Sequence, residues 1–148
     1  PLAAELGESA AAFRGDLARK LGLQTMLQAV LERWERIDVL VFIPTAQPDV
    51  ALLDMDEWDW HRTIDADLTA AFLCMQSVGR IMRELGGGLI VNVFDAREME
   101  SSVYAAAAVG LAILSKAAAV EFSSYDIAVH ALRAGKKTAA DIVRLVQT

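Results

Sequence analysis

The chain has 148 residues, with 14 Lys and Arg against 20 Asp and Glu for a net charge of -6, and is 55% hydrophobic and 23% charged. That length suits one domain with a core of its own, and that composition excludes disorder and low complexity. The acid excess argues against a general nucleic-acid or anionic-membrane surface, and a single cysteine, Cys74, excludes an intramolecular disulfide framework.

In chain order, Pro1 to Gly7 reads as the last turn of a helix closed by glycine. Ala10 to Phe13 is a short apolar run ahead of Arg14-Gly15-Asp16, a strand and turn. Leu23, Met26, Leu27, Val30, Leu31 and Trp34 recur at the spacing of an amphipathic helix. Ile37 to Ile43 is β-branched and apolar throughout, as expected of a strand buried on both faces. Pro44 and Pro48 stop it. A long helical pattern then runs from Asp54 through Leu68, Phe72, Met75 and Ile81 until Gly86-Gly87-Gly88 ends it. Leu89 to Phe94 is another buried-strand run, Tyr104 to Phe122 is alanine-rich and helical by propensity, Ile127 to Leu132 is a weaker strand and Thr138 to Val146 a short helix. Strands alternating with helices mean an α/β domain with a parallel sheet. The longest mainly apolar run, Val103 to Leu114, falls short of the roughly 20 residues that span a bilayer. No basic segment followed by an apolar stretch marks a signal peptide, so a soluble cytoplasmic domain is expected, with no membrane and no nucleic-acid partner. The chain opens on Pro1, not Met, which leaves open a missing upstream sequence.

The run IDVLV, the segment DEWDWHRTIDADLTAAFLCMQSVGRIM, the strand GGGLIVNV and the stretch YAAAAVGLAILSKAAAVEF followed by IAVHALRAG resemble a short-chain dehydrogenase/reductase. The likeness covers nearly the whole chain in order and approximate spacing, and Tyr104 to Gly135 is its most specific part. It implies a Rossmann-like three-layer sandwich about a parallel sheet, here a single truncated domain over residues 1–148 that lacks the N-terminal β-α-β nucleotide-binding unit. Family members bind a dinucleotide at a glycine-rich turn after the first strand. No such motif stands here, and Gly86 to Gly88, which precedes a strand, reads as a helix stop. Asp16 falls where the family places an aspartate beside the adenine, and a turn-capping Asp is an equal reading. No cofactor is therefore expected from this chain, and NAD or NADP only if a missing N-terminal segment exists.

The resemblance also implies an active site of Tyr, a Lys one turn later, a Ser on the preceding strand and an Asn on the long helix. Tyr and Lys then share a helix face, and the ammonium depresses the phenol pKa. Here Tyr104 persists, but the Lys position is Ala108, the Ser position Asp95 and the Asn position Asp67. The stretch between Asp95 and Tyr104 is shorter than usual, and the family's Asn-Asn-Ala-Gly reads Phe42-Ile43-Pro44-Thr45, closing space where the cofactor would lie. A phenol without its cation titrates near about 10. Lys116 cannot substitute, since twelve residues of helix span about 18 Å, and Arg97 on the loop after the strand stays an open candidate that sequence does not decide.

The other candidates have plain structural readings. Asp54, Asp56, Glu57, Asp59, His61 and Asp65 suit a helix N-terminus better than a metal site, and no metal is expected. His61 and His130 lack ligand spacing, Trp34, Trp58 and Trp60 read as packing or interface aromatics, and Cys74 as a small buried residue. The face Ala105, Ala108, Ala112 and Ala119 would admit a neighbouring helix, and the resemblance implies a homo-oligomer through helices 63–83 and 103–122.

Three functions stay open: a catalytically silent family member acting as an oligomerising or partner-binding subunit; an NAD(P)-dependent oxidoreductase of carbonyl or alcohol substrates, seen as an incomplete chain; and a cofactor-free acid/base enzyme using Asp95, Tyr104 and Asp67. Two features of topology bear on them. A chain starting near the family's third strand leaves a gap beside Ile37 to Ile43 that missing strands, Ala10 to Phe13 or another subunit must fill. Only Lys136 and Lys137 stand where the family inserts a substrate lid.

Overall fold

The structure, a computed structural model, describes residues 5–44, 46, 48, 50–95 and 101–147. The three apolar runs form strands β1 (Val39–Phe42), β2 (Gly88–Phe94) and β3 (Ile127–Arg133), all parallel, in the order β1-β2-β3. The register sets Leu40 beside Ile90 and Val129, and Val41 beside Val91 and His130. Alternation then sorts the side chains to two faces.

One face is a closed core. Phe42, Ile90, Ile127 and Val129 pack under Leu23 and Leu27 of α1 (Lys20–Trp34), Cys74, Met75, Val78 and Met82 of α3 (Ala70–Leu85), and Leu111 and Ala118 of α4 (Ser102–Phe122). Each of these larger side chains contributes roughly 1.5–3 kcal/mol by leaving water. The other face is covered less evenly. Val91 and Val93 are buried at its centre, while Val41 on β1 and His130 on β3 are exposed. The final helix, α5 (Thr138–Val146), is amphipathic but has no buried residue.

The helix boundaries follow from local chemistry. Helix α2 (Glu57–Ile64) starts at Asp56, whose Oδ1 accepts the Asp59 N–H at 2.7 Å, so the acids there act as caps and dipole partners. Arg62 lies 3.8 Å from Asp59 and over the Trp58 ring. The single long helix expected from the periodicity is interrupted: α2 passes into α3 through a π-helical turn, Asp65–Thr69. Helix α3 stops at Gly86, with φ +91°, and the Gly87 N–H donates to Met82 O at 2.9 Å. Gly87 has φ +129°, and a Cβ there would lie 2.6 Å from Asp126 O. The glycine cluster is thus a helix stop and a close backbone contact, as read from its place before a strand.

Three expectations are corrected. Ala10 to Phe13 forms no strand: the three described strands pair only with one another, and the segment joins neither outer edge of that sheet. The Ile37–Ile43 run is not buried on both faces: it is an edge strand of four residues with Val41 37% exposed. The alanine face of α4 turns inward, with Ala108 buried and Ala105, Ala112 and Ala119 partly buried, so Val109, Ile113 and Val120 face out. Residues Pro1 to Ala4 lie outside the described residues, and Gly7 opens a short 3-10 turn (Gly7–Ser9). Arg33 of α1 ties this turn down by donating to Glu8 O.

Helix α4 and the 3-10 turn after it, Ser102–Tyr125, are long and apolar enough by length and composition to cross a membrane, although Val103 to Leu114 is not. In this fold α4 packs on β3 and on the π turn instead.

Candidate active site

The residues that matter to the family's chemistry sit where β2 ends and α4 begins. Asp95 directly follows the last residue of β2 and is half-buried. Tyr104 occupies the first turn of α4 and is 7% exposed. One turn on, Ala108, which the resemblance sets in place of the family's lysine, is 3% exposed.

Asp67 comes from a different element. The π turn that carries it packs against α4, and an added Cβ on Gly110 would meet Leu68 at 3.2 Å. Single π turns interrupt helices where a side chain must be re-aimed, frequently at functional sites. Here the turn buries the Asp67 carboxylate, 2% exposed, and its Oδ1 accepts the Ala46 N–H at 3.1 Å. That bond ties the segment after β1 to the long helix, a structural use of a residue aligned with the family's Asn.

The structure therefore packs the turn of Asp67 against α4, whose first turn holds Tyr104, and puts Asp95 directly after β2. Asp16 lies apart from them. Its Oδ1 accepts the Ala18 N–H at 2.9 Å, which is the turn-capping role. Arg19 connects it loosely onward, 3.7 Å from Asp16 and 3.8 Å from Asp65, all exposed. Arg97 and Thr45 lie outside the described residues.

Asn92, Ser115 and Ser101 are buried polar residues that were not singled out from sequence. Asn92 on β2 donates to Ser115 Oγ at 2.9 Å and lies 3.0 Å from Met75 Sδ, while Ser115 donates to Leu111 O at 2.7 Å. This bridge clamps α4 onto the central strand. Ser101, 2% exposed, is the N-cap residue of α4 yet makes no side-chain cap bond, and its Oγ has no partner among the described residues. A Ser just before an apolar helical run was the available signal, and it predicts the cap rather than its absence.

The remaining candidates resolve simply. No group of three His, Cys, Asp or Glu among the described residues could hold a metal. Cys74 is buried, and burial pushes its thiol up to about 11, so it stays protonated at neutral pH. The glycine cluster Gly86–Gly88 serves as a helix stop and is not a turn following a strand.

Beyond β3 the chain turns at once into α5. The Gly135 N–H donates to Thr138 Oγ1 at 2.7 Å and the Thr138 N–H returns to Gly135 O at 3.2 Å, so Lys136 and Lys137 span a closed turn where the family has a lid.

Comparison with known proteins matches this architecture to one family. The profile of the short chain dehydrogenases matches residues 1–144. A 3-oxoacyl-(acyl-carrier-protein) reductase of Synechocystis sp. is 31% identical over 133 residues, covering 87% of this chain and 54% of that protein. The crystal structure of acetoin dehydrogenase from Enterobacter cloacae superposes with a TM-score of 0.75 at 36% identity, covering 82% of this chain and 52% of that one. A 3-ketoacyl-ACP reductase from Sinorhizobium meliloti 1021 gives a TM-score of 0.83 over 89% of this chain and 56% of its own, and at 20% identity shows the fold alone. The chain spans about half the length of the curated relatives it matches. With a parallel sheet, its flanking helices and a profile match over nearly every residue, the chain belongs to the short-chain dehydrogenase/reductase family of oxidoreductases, whose members generally use NAD(P).

Proposed function

We propose that this chain is a reductase-fold subunit without reductase chemistry, whose work is association through its helices. The observation that carries the reading is Ala108. A tyrosine needs a neighbouring cation to give up its proton near neutral pH, and the position one turn below Tyr104 holds a buried methyl group. Asp67, which the resemblance sets in place of the family's Asn, is buried and holds the Ala46 amide.

What the chain keeps is an outer helix face. Val109, Ile113 and Val120 form a stripe on α4 at helical spacing, and Val120 is 76% exposed. Beside it, α3 and α4 frame a groove of about 360 Å³ lined by Phe72, Gln76, Arg80, Leu114, Glu121 and Tyr125. A stripe of this size on one helix favours a second copy of the same face, giving a homo-oligomer through helices 63–83 and 103–122 in the cytoplasm.

A second reading is an NAD(P)-dependent oxidoreductase of carbonyl or alcohol substrates, of which this chain is one portion. The open outer edge of β1 favours it, since in a longer sheet that edge carries another strand.

Calorimetric titration with NADH and NADPH separates the two. The expected result is no binding of either up to about 1 mM. A micromolar Kd for either nucleotide would overturn the silent-subunit reading.

A further inference from the structure

We infer that the groove between α3 and α4 is a binding site for a small amphiphile, a single alkyl chain carrying one negative charge. Two contacts fix how its walls meet. A Cβ added to Gly79 would lie 2.9 Å from the Phe122 ring, and the Arg83 guanidinium sits 5.5 Å from the centre of the Tyr125 ring. The C-terminal halves of the two helices therefore run side by side. From Phe72 to Arg83 the α3 wall is about 16 Å long. Met75, Ala118 and Ile127, all buried, make the floor, and Phe72 and Leu114 line the end away from Tyr125. Polar groups gather at the other end: Arg80 and Arg83 from α3, Glu121 from α4 and Tyr125 from the turn after it.

The lining selects the ligand. An apolar trough of about 360 Å³ with a few convergent polar groups has the size and make-up of a small-molecule site. An alkyl chain on that floor removes apolar surface from water on both sides. Two guanidinium groups against one carboxylate leave a single positive charge, on a chain whose net charge is -6. Neither Arg80 nor Arg83 is in an ion pair among the described residues. One carboxylate balances that charge and accepts the paired N–H groups of an arginine, whereas a cationic head would face two arginines. The site is separate from the α4 stripe. Leu114, Ala117 and Glu121 lie about 90° around the helix from Val109, Ile113 and Val120. Ligand and proposed association thus use different faces, and this site goes beyond the proposed function.

Calorimetric titration with decanoate tests it, run on an Ile113→Lys chain so that association through the stripe does not enter the signal. Decanoate should bind once per chain with a Kd of about 10–100 μM. Octanoate should bind about tenfold more weakly, since each buried methylene is worth about fourfold in affinity. Decanol, which has the chain without the charge, should also lose about tenfold. Two further variants locate the ligand, with circular dichroism confirming that each is folded. Arg80→Gln with Arg83→Gln should weaken decanoate about tenfold or more and leave decanol unchanged. Ala117→Phe adds a ring to an exposed residue of the groove and should block both ligands. Absence of saturable binding, decanol that binds as tightly as decanoate, or either variant binding decanoate as well as the Ile113→Lys chain would overturn the inference. None of these outcomes bears on nucleotide binding or on the α4 stripe.

Discussion

Gly87 shows how a residue can be identified for the right reason and still be under-read. Its place between a helix and a strand marked it as part of a stop signal, but not the contact it makes. With φ +129° and Asp126 O within 2.6 Å of any added Cβ, the position tolerates only glycine. Gly87→Ala should cost about 1–3 kcal/mol, measured as a lower urea midpoint at unchanged m-value; an unaltered midpoint would mean that the turn relaxes freely. Tyr104, Ala108, Asp95 and Asp67 were read as aligned positions from their spacing along a helix or strand. Their partners were not legible. That Asp67 holds the Ala46 amide, and that Ser101 is buried at a helix start without capping it, depends on where the segments after β1 and β2 return. Local sequence carries no such information.

At the scale of elements, periodicity and apolar runs placed α4, α5 and all three strands within a residue or two, and the end of α3 at the glycine cluster. The helix–strand alternation made the parallel sheet a consequence rather than a guess. The π turn was invisible because the apolar pattern on either side of Asp65–Thr69 reads as one continuous helix. Ala10 to Phe13 failed for the opposite reason: its local pattern suits a strand, but strand formation requires a neighbour, and pairing is a property of the sheet. β1 and β2 have similar sequences and different surroundings. β2 is hydrogen-bonded on both sides with four buried residues in succession, whereas β1 is bonded on one side only. Hydrogen exchange should therefore show β2 amides opening only with global unfolding and β1 amides exchanging faster by about tenfold or more. Equal protection of the two strands would mean that the outer edge of β1 is covered in solution.

For the whole molecule, the family assignment and the altered site point in different directions, and physical chemistry decides between them. The packed core of α1, α3, α4 and the sheet retains the family's architecture, while the proposed reading rests on the buried Ala108 one turn from Tyr104. The apolar surplus has been placed on the outside of α4, where a monomer gains nothing from it. The most direct measurement is the sedimentation velocity of the chain and of Ile113→Lys in about 0.5 M salt, which screens contacts that depend on surface charge. The parent chain should sediment as a dimer or larger assembly, and the variant, with an unchanged far-ultraviolet spectrum, as a 16.0 kDa monomer. A parent chain that is monomeric at about 100 μM, or a variant that assembles as the parent does, would contradict the account.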